Sequence, residues 1–266
     1  MHTFHGCTAL ITGASSGLGA EFARQLSFHA NTLILVARRR DRLDLLAAEI
    51  NRPGLTVRCF AVDVANEEQL EAFIRETAGE NFSLLINNAG CGDHGLFEES
   101  EWPKVKAMLD VNIAALTRLT HAFTPRLVRA GTGAILNVSS IAALLPLPQM
   151  GVYAATKAYV TSFTEALRAE LRGTGVSVTA VCPGPVNTEF FGIAERPGSR
   201  GKVPTPEFFK VPSEQVVREA LRAVLTDRAR IIPGWRLFLV MTLTALVPMF
   251  ILRFALNQRG RNYHGH

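Results

Sequence analysis

The chain has 266 residues, of which 48% are hydrophobic and 19% charged, with a formal net charge of +5. That length and apolar content support one sizeable core and exclude a disordered or collagen-like chain. The positive balance collects at Arg38, Arg39, Arg40 and Arg42 and again at Arg253, Arg259 and Arg261; with no basic stripe interleaved with aromatic residues, nucleic acid is not expected as a partner.

A strand is expected over 7–12, opening into a glycine-rich turn and a helix from about Leu18. The run TLILVA at 32–37 is a second strand, followed by a helix over 41–50. A third strand at 56–62 precedes a helix over 66–77, and a fourth at 84–86 ends in Asn87-Asn88-Ala89-Gly90. One long helical region is expected from 102 to 128, then a strand at 134–138, a helix carrying Tyr153, and a strand at 176–181. Continuous apolar strands alternating with helices predict an α/β protein with a parallel sheet covered on both faces. Right-handed crossovers then make it a doubly wound, three-layer α/β/α sandwich. Residues 183–212 break the rhythm with six prolines. A loop of that length inside a compact domain reads as a functional lid, here over about 185–212.

The four cysteines, Cys7, Cys59, Cys91 and Cys182, are scattered and form no metal-like pair. They are expected to be reduced, in a cytoplasmic protein that binds no metal. Neither a basic region nor a long apolar run precedes the first strand, so no signal peptide is expected. Asn-X-Ser matches at Asn81 and Asn137 abut predicted strands and are taken as chance.

The first turn reads Thr12-Gly13-Ala14-Ser15-Ser16-Gly17-Leu18-Gly19. Glycines let a backbone approach a pyrophosphate closely, and the helix that follows offers free N–H groups to it. The same residues also fit a G-x-S-x-G nucleophile elbow with Ser15 as nucleophile, for which His94 and His121 are the available bases. That hydrolase reading leaves Tyr153 and Lys157 without a purpose. The second strand ends at Ala37 rather than at an acid, and Arg38 and Arg39 follow. An acid there would bind the ribose of NAD, whereas guanidinium groups bind a 2′-phosphate, so NADP(H) is the expected cofactor. Arg40 and Arg42 read as solvated charge. Tyr153 and Lys157 are four apart on a helix and therefore share a face. An ammonium beside a phenol would lower its pKa from about 10 and make it a usable acid or base.

With these motifs on the page, the sequence resembles the short-chain dehydrogenase/reductase family over roughly residues 7–232. The carrying pieces are TGASSGLG (12–19), DV (63–64), NNAG (87–90), VNI (111–113), NVSS (137–140), YAATK (153–157) and PGPVNT (183–188). The start after the second strand is similar to the NADP-preferring branch. The resemblance implies a Rossmann-type domain over 1–235; the apolar extension with a basic tail, over 236–266, is an addition to the family's core. It implies Ser140 as the residue that hydrogen-bonds the substrate oxygen and Tyr153 as general acid/base. Lys157 would bind the nicotinamide ribose and lower the tyrosine pKa, and Asn112 would hold a water in a proton relay. Gly13, Ser15, Ser16, Gly17, Leu18, Gly19, Arg38 and Arg39 would line the phosphate side of the cofactor, with Asp63 and Val64 at the adenine. Asn88, Ala89 and Gly90 would flank it, and Pro183, Gly184, Val186 and Thr188 would surround the nicotinamide carboxamide. Ser139 reads as support for its strand end.

The expected activity is NADPH-dependent hydride transfer to or from an apolar ketone, aldehyde or secondary alcohol. The alternative is a non-catalytic dinucleotide-binding sensor or scaffold of the same fold. Phe190, Phe191, Ile193, Phe208 and Phe209 in the lid, with Leu144, Leu145, Leu147 and Met150, suggest an apolar pocket. The apolar run 237–252 has 16 residues, short of the roughly 20 of a spanning helix. It is open to three readings: packing on the body or at a subunit interface of a homo-oligomer, peripheral membrane contact through 237–256, or a tail anchor.

Overall fold

The central strands are apolar on both sides along most of their length, because both faces of the sheet are covered. A computed structural model describes residues 3–196 and 209–260. Its strands are β1 (Thr8–Thr12), β2 (Thr32–Ala37), β3 (Thr56–Ala61), β4 (Leu84–Asn87), β5 (Gly133–Val138), β6 (Val176–Val181) and β7 (Arg230–Ile231). All pairings are parallel, in the order β3-β2-β1-β4-β5-β6-β7. Side chains alternate between faces along a strand. Ala9 and Ile11 of β1, Leu33 and Leu35 of β2, and Leu84 and Ile86 of β4 enter one core. Leu10, Ile34, Val36 and Leu85 enter the other. Each such fully buried aliphatic side chain stabilises the fold by about 1.5–3 kcal/mol.

Helices α1 (Gly17–Ser27), α2 (Arg40–Glu49) and α8 (Ser213–Leu225) cover the first face through Phe22, Leu26, Leu43, Val217 and Leu221. Helices α3 (Glu67–Glu76) and α5 (Leu116–Ala130) cover the second through Phe73, Leu119 and Phe123. α6 (Gly151–Glu170) packs on β6, and its Leu167 joins the second core. α7 (Glu189–Ala194), α9 (Trp235–Ala245) and α10 (Met249–Gly260) lie after the sheet.

Three expectations change. The single helix expected over 102–128 is α4 (Trp102–Leu109), a π-helical turn (Asp110–Ala115) and α5. Hydrophobic spacing does not register such a local under-winding, which is rare and often marks a functional position. The seventh strand has only two residues and so leaves no apolar run to read. The run at 237–252 is two helices, because Pro248 has no N–H for a continuing helix. No helix among the described residues is long and apolar enough to cross a membrane. Phe208 lies outside the described residues, with Arg261 and the middle of the expected lid, as do the side chains of Phe191 and Ile193.

Candidate active site

The chain runs from β1 outward through β2 to β3 and then returns to the other side of β1 as β4. Such a reversal leaves a crevice at the carboxyl ends of the two middle strands. Thr12 closes the floor of that crevice. Its hydroxyl oxygen accepts from the Asn88 and Ala89 amides, each at 3.0 Å. The Asn88 side-chain amide donates back to the Thr12 and Gly13 carbonyls at 2.9 and 3.2 Å.

Above this floor only glycine fits. A Cβ on Gly13 would stand 2.8 Å from the Ala89 Cα, and one on Gly19 would stand 2.2 Å from the Gly13 carbonyl oxygen. Gly17 starts α1 at φ +53°, a conformation that costs other residues strain. The first turn of α1 holds no acidic residue, and the Ser16 side chain does not cap it. Its free N–H groups can therefore face an anion. Leu18 packs against the first core.

Arg39 reaches this rim. It donates to the Ser16 hydroxyl at 2.8 Å and to the Ser15 hydroxyl at 3.2 and 3.3 Å. Ser15 thus faces a guanidinium and no histidine, and His121 is exposed on α5, which removes the hydrolase reading. Arg39 also pairs with Glu189 at 3.0 Å, and Arg42 pairs with the same carboxylate at 2.6 Å. Hydrogen bonds from Arg42 and then Arg39 hold the Glu189 carboxyl below the usual carboxylate range. Arg42 is therefore tied to the lid rather than merely solvated, whereas Arg40 is exposed as expected and pairs with Asp44 at the surface. Arg38 is exposed. One Asp63 oxygen accepts from the Ala65 amide at 3.0 Å and so closes the turn into α3, beside the buried Val64.

The proton-handling groups converge on the far side of the crevice. Tyr153, Lys157 and Ser140 are all buried. The Lys157 Nζ lies 5.9 Å from the Tyr153 ring centroid and donates to the Val138 carbonyl at 2.8 Å. The Ser140 hydroxyl stands beside the Tyr153 phenol and favours its ionised form. Burial pushes that phenol up to about 12, a rise the Ser140 contact reduces. Burial likewise pulls the Lys157 ammonium down to about 8. The lowering expected from the neighbouring ammonium is not found: burial sets the direction, because a dry site disfavours both ions.

Asn112 is brought to the same place by the π-helical turn. A Cβ on Gly90 would sit 3.3 Å from both the Asn112 Oδ1 and the Lys157 Nζ. Both amide hydrogens of Asn112 are committed, to the Cys91 carbonyl at 2.9 Å and the Thr156 hydroxyl at 3.0 Å. A relay water would therefore have to use an Asn112 oxygen. Behind these residues runs a buried polar ladder that the sequence reading missed. Asn87 donates to Thr120 and Asn137, and Asn137 donates to Thr164. Ser139 bonds Thr161 and the Lys157 carbonyl, which is the strand-end support expected of it.

The segment after β6 crosses over this site. The Pro183 carbonyl accepts from the Ile141 amide at 3.0 Å, Val186 is buried, and the Thr188 methyl lies 3.2 Å from where a Gly17 Cβ would be. Gly184 lies against Leu237 of α9. The Phe190 ring stands 5.4 Å from the Tyr153 ring, and Met108 and Met150 pack there too. Leu147 is exposed and does not contribute. The end of α7 is pinned by a buried ion pair between Arg196 and Asp93, which Ser100 and the Leu96 carbonyl complete. Arg196→Met would strand the Asp93 carboxylate at a cost of about 3 kcal/mol, near the low end for a broken buried pair. Exchange of the His94 amide, which donates to the Ala194 carbonyl, should then accelerate by roughly a hundredfold. An unchanged rate would mean that α7 is held by other contacts.

The family described as short chain dehydrogenase matches residues 7–196. The chain is 40% identical over 191 residues to sulfoacetaldehyde reductase 2 of Chromohalobacter salexigens, covering 68% of this chain and 73% of that protein. It is 31% identical over 225 residues to the human very-long-chain 3-oxoacyl-CoA reductase, covering 81% and 68%. In three dimensions it is similar to a short-chain dehydrogenase from Sphingobium yanoikuyae solved in complex with NADPH. The TM-score is 0.78 at 31% identity, over 98% of this chain and 96% of that one.

Proposed function

This chain belongs to the short-chain dehydrogenase/reductase family, and on that premise we propose that it is an NADPH-dependent reductase of apolar ketones or aldehydes, able to run in reverse on secondary alcohols. Its fold is one that binds a nicotinamide cofactor. The observation that carries the finer reading is the meeting of Ser140, Tyr153 and Lys157 at the crevice between β1 and β4.

The residues present fit the cofactor. The Gly13–Gly19 turn excludes side chains where a pyrophosphate would lie against α1, and Arg39 stands at its edge where a 2′-phosphate needs a fork of donors. The bound nicotinamide supplies the hydride. Ser140 and Tyr153 donate hydrogen bonds to the substrate oxygen, and their dipoles are already oriented before charge develops there. Tyr153 then gives its proton to that oxygen, completing the alcohol, while the Lys157 ammonium steadies the phenolate left behind. With the phenol near 12, the free site at neutral pH holds the proton that carbonyl reduction requires. The surface around Tyr153 is Met108, Met150 and Phe190, suited to an apolar substrate. The reductase unit is assigned to residues 1–235, with 236–266 as an appendage.

NADPH consumption with a panel of apolar ketones and aldehydes tests this reading; no turnover across the panel would contradict it. Cofactor choice has its own test. Arg39→Ala should raise the KM for NADPH by about ten- to a hundredfold and leave that for NADH nearly unchanged. Glu189→Gln should lower the NADPH KM several-fold, because the 2′-phosphate no longer has to displace a carboxylate from Arg39 and Arg42. Equal effects on both cofactors would remove the phosphate assignment.

A further inference from the structure

The two C-terminal helices expose large apolar side chains in a stretch of sequence whose charged residues are all arginines. α9 turns Leu237 and Met241 inward, where they are buried, Leu237 against Gly184. Away from these it exposes Trp235, Phe238 and Leu246, and α10 in turn exposes Phe250, Ile251 and Phe254. Trp235 and Phe250 are each 71% exposed and Leu246 is 74% exposed, values far from those of a settled core. The Thr242 and Thr244 hydroxyls both donate to their own helix, to the Phe238 and Val240 carbonyls at 2.8 Å. The two threonines of α9 thus direct their protons into the helix itself. Contiguous apolar surface of this kind marks an interaction site.

We propose that this face docks on an anionic lipid surface. From residue 235 to 266 the sequence holds four arginines, at 236, 253, 259 and 261, and not one Asp or Glu. That pattern complements a negatively charged headgroup layer and is poorly suited to pairing with a second copy of itself, which would bring arginines together with no carboxylate between them. The Arg236 guanidinium lies 5.4 Å from the Trp235 ring, so a cation and an amphipathic aromatic sit side by side, as at a membrane–water boundary. α9 has 11 residues and α10 has 12. Each is shorter than about 20 Å, against a hydrocarbon core of about 30 Å. The pair therefore lies in the surface and does not cross it. α9 also packs on the turn that follows Ser140, so docking would hold the rim of the active site toward the lipid. The docking itself does not depend on which reaction the site performs.

The test is co-sedimentation of the full chain with vesicles of phosphatidylglycerol and phosphatidylcholine in equal parts, and with phosphatidylcholine alone. The wild type should sediment with the mixed vesicles, weakly with the neutral ones, and less as salt is added. The double variant Phe250→Ser/Phe254→Ser should lose about tenfold or more of that binding, and Arg253→Glu should lose most of its anionic preference. Both variants should keep the wild-type melting temperature, because the altered side chains are exposed. Absence of vesicle binding, or binding that the double variant retains, overturns the proposal. So does a wild-type dimer that ignores vesicles and that the double variant splits, which assigns the face to a second copy. A large fall in melting temperature also overturns it, since it would mean these residues are packed.

Discussion

Tyr153→Phe is expected to lower the rate of carbonyl reduction by about a thousandfold, within the roughly hundred- to ten-thousandfold range that a general acid contributes. NADPH binding should survive, because the ring stays among Met108, Met150 and Phe190 and only the hydroxyl is lost. Folding should survive as well, for only the hydroxyl beside Ser140 is removed. Steady-state kinetics with an apolar ketone, beside a fluorescence titration of NADPH, separate these effects. The expected pattern is a lost kcat with an unchanged cofactor affinity. A variant that keeps most of its kcat would show that the proton comes from elsewhere, and the assignment of Tyr153 would be wrong.

Lys157→Met should show the opposite signs on activity and stability. The ammonium is buried with a single hydrogen bond, to the Val138 carbonyl, and burial pulls it from 10.5 to about 8. An unfolded chain therefore holds more protons than the folded one between those values, so this group's contribution to stability rises with pH from about 8 to about 10.5. Below 8 the full cost of the buried charge is present, on the order of 3 kcal/mol. Methionine removes that cost and leaves one carbonyl unpaired, for a net gain of about 1–2 kcal/mol at neutral pH. Activity should fall by at least about a hundredfold, because no cation then steadies the phenolate. In the wild type, kcat/KM for NADPH should decline as pH rises through about 8. Urea midpoints at pH 7 and pH 10 give the comparison: the variant should lead at the lower pH and lose that lead at the higher. A variant that is less stable at pH 7 would mean the ammonium is not a burden to the fold.

Much of this was legible in the chain itself. Consecutive apolar residues at 32–37 announce a strand buried on both faces, and a strand-turn-helix with Gly13, Gly17 and Gly19 announces a close backbone approach. The i, i+4 spacing of Tyr153 and Lys157 is also local. What escaped reading depends on contacts between residues far apart in sequence. Asn87 and Asn137 are 50 residues apart and meet only because β4 and β5 pair. Glu189 reaches Arg42 across 147 residues, so the arginine looked like surface charge. The π-helical turn that aims Asn112 leaves the hydrophobic period almost undisturbed. The direction of the tyrosine shift was misjudged for a related reason. Spacing shows that an ammonium is near but not how dry the site is, and here dryness dominates.

The central claim is that this site transfers hydride, and isotope transfer tests it most directly. Wild-type protein is incubated with an apolar ketone and NADPH carrying deuterium at one C4 position of the nicotinamide, using each epimer in turn. The alcohol product is then weighed by mass spectrometry. Deuterium should appear at the carbinol carbon from one epimer alone, and Tyr153→Phe should suppress it. If NADPH binds tightly and no carbonyl in the panel gains the label from either epimer, the chain is a dinucleotide-binding scaffold and the catalytic account is wrong.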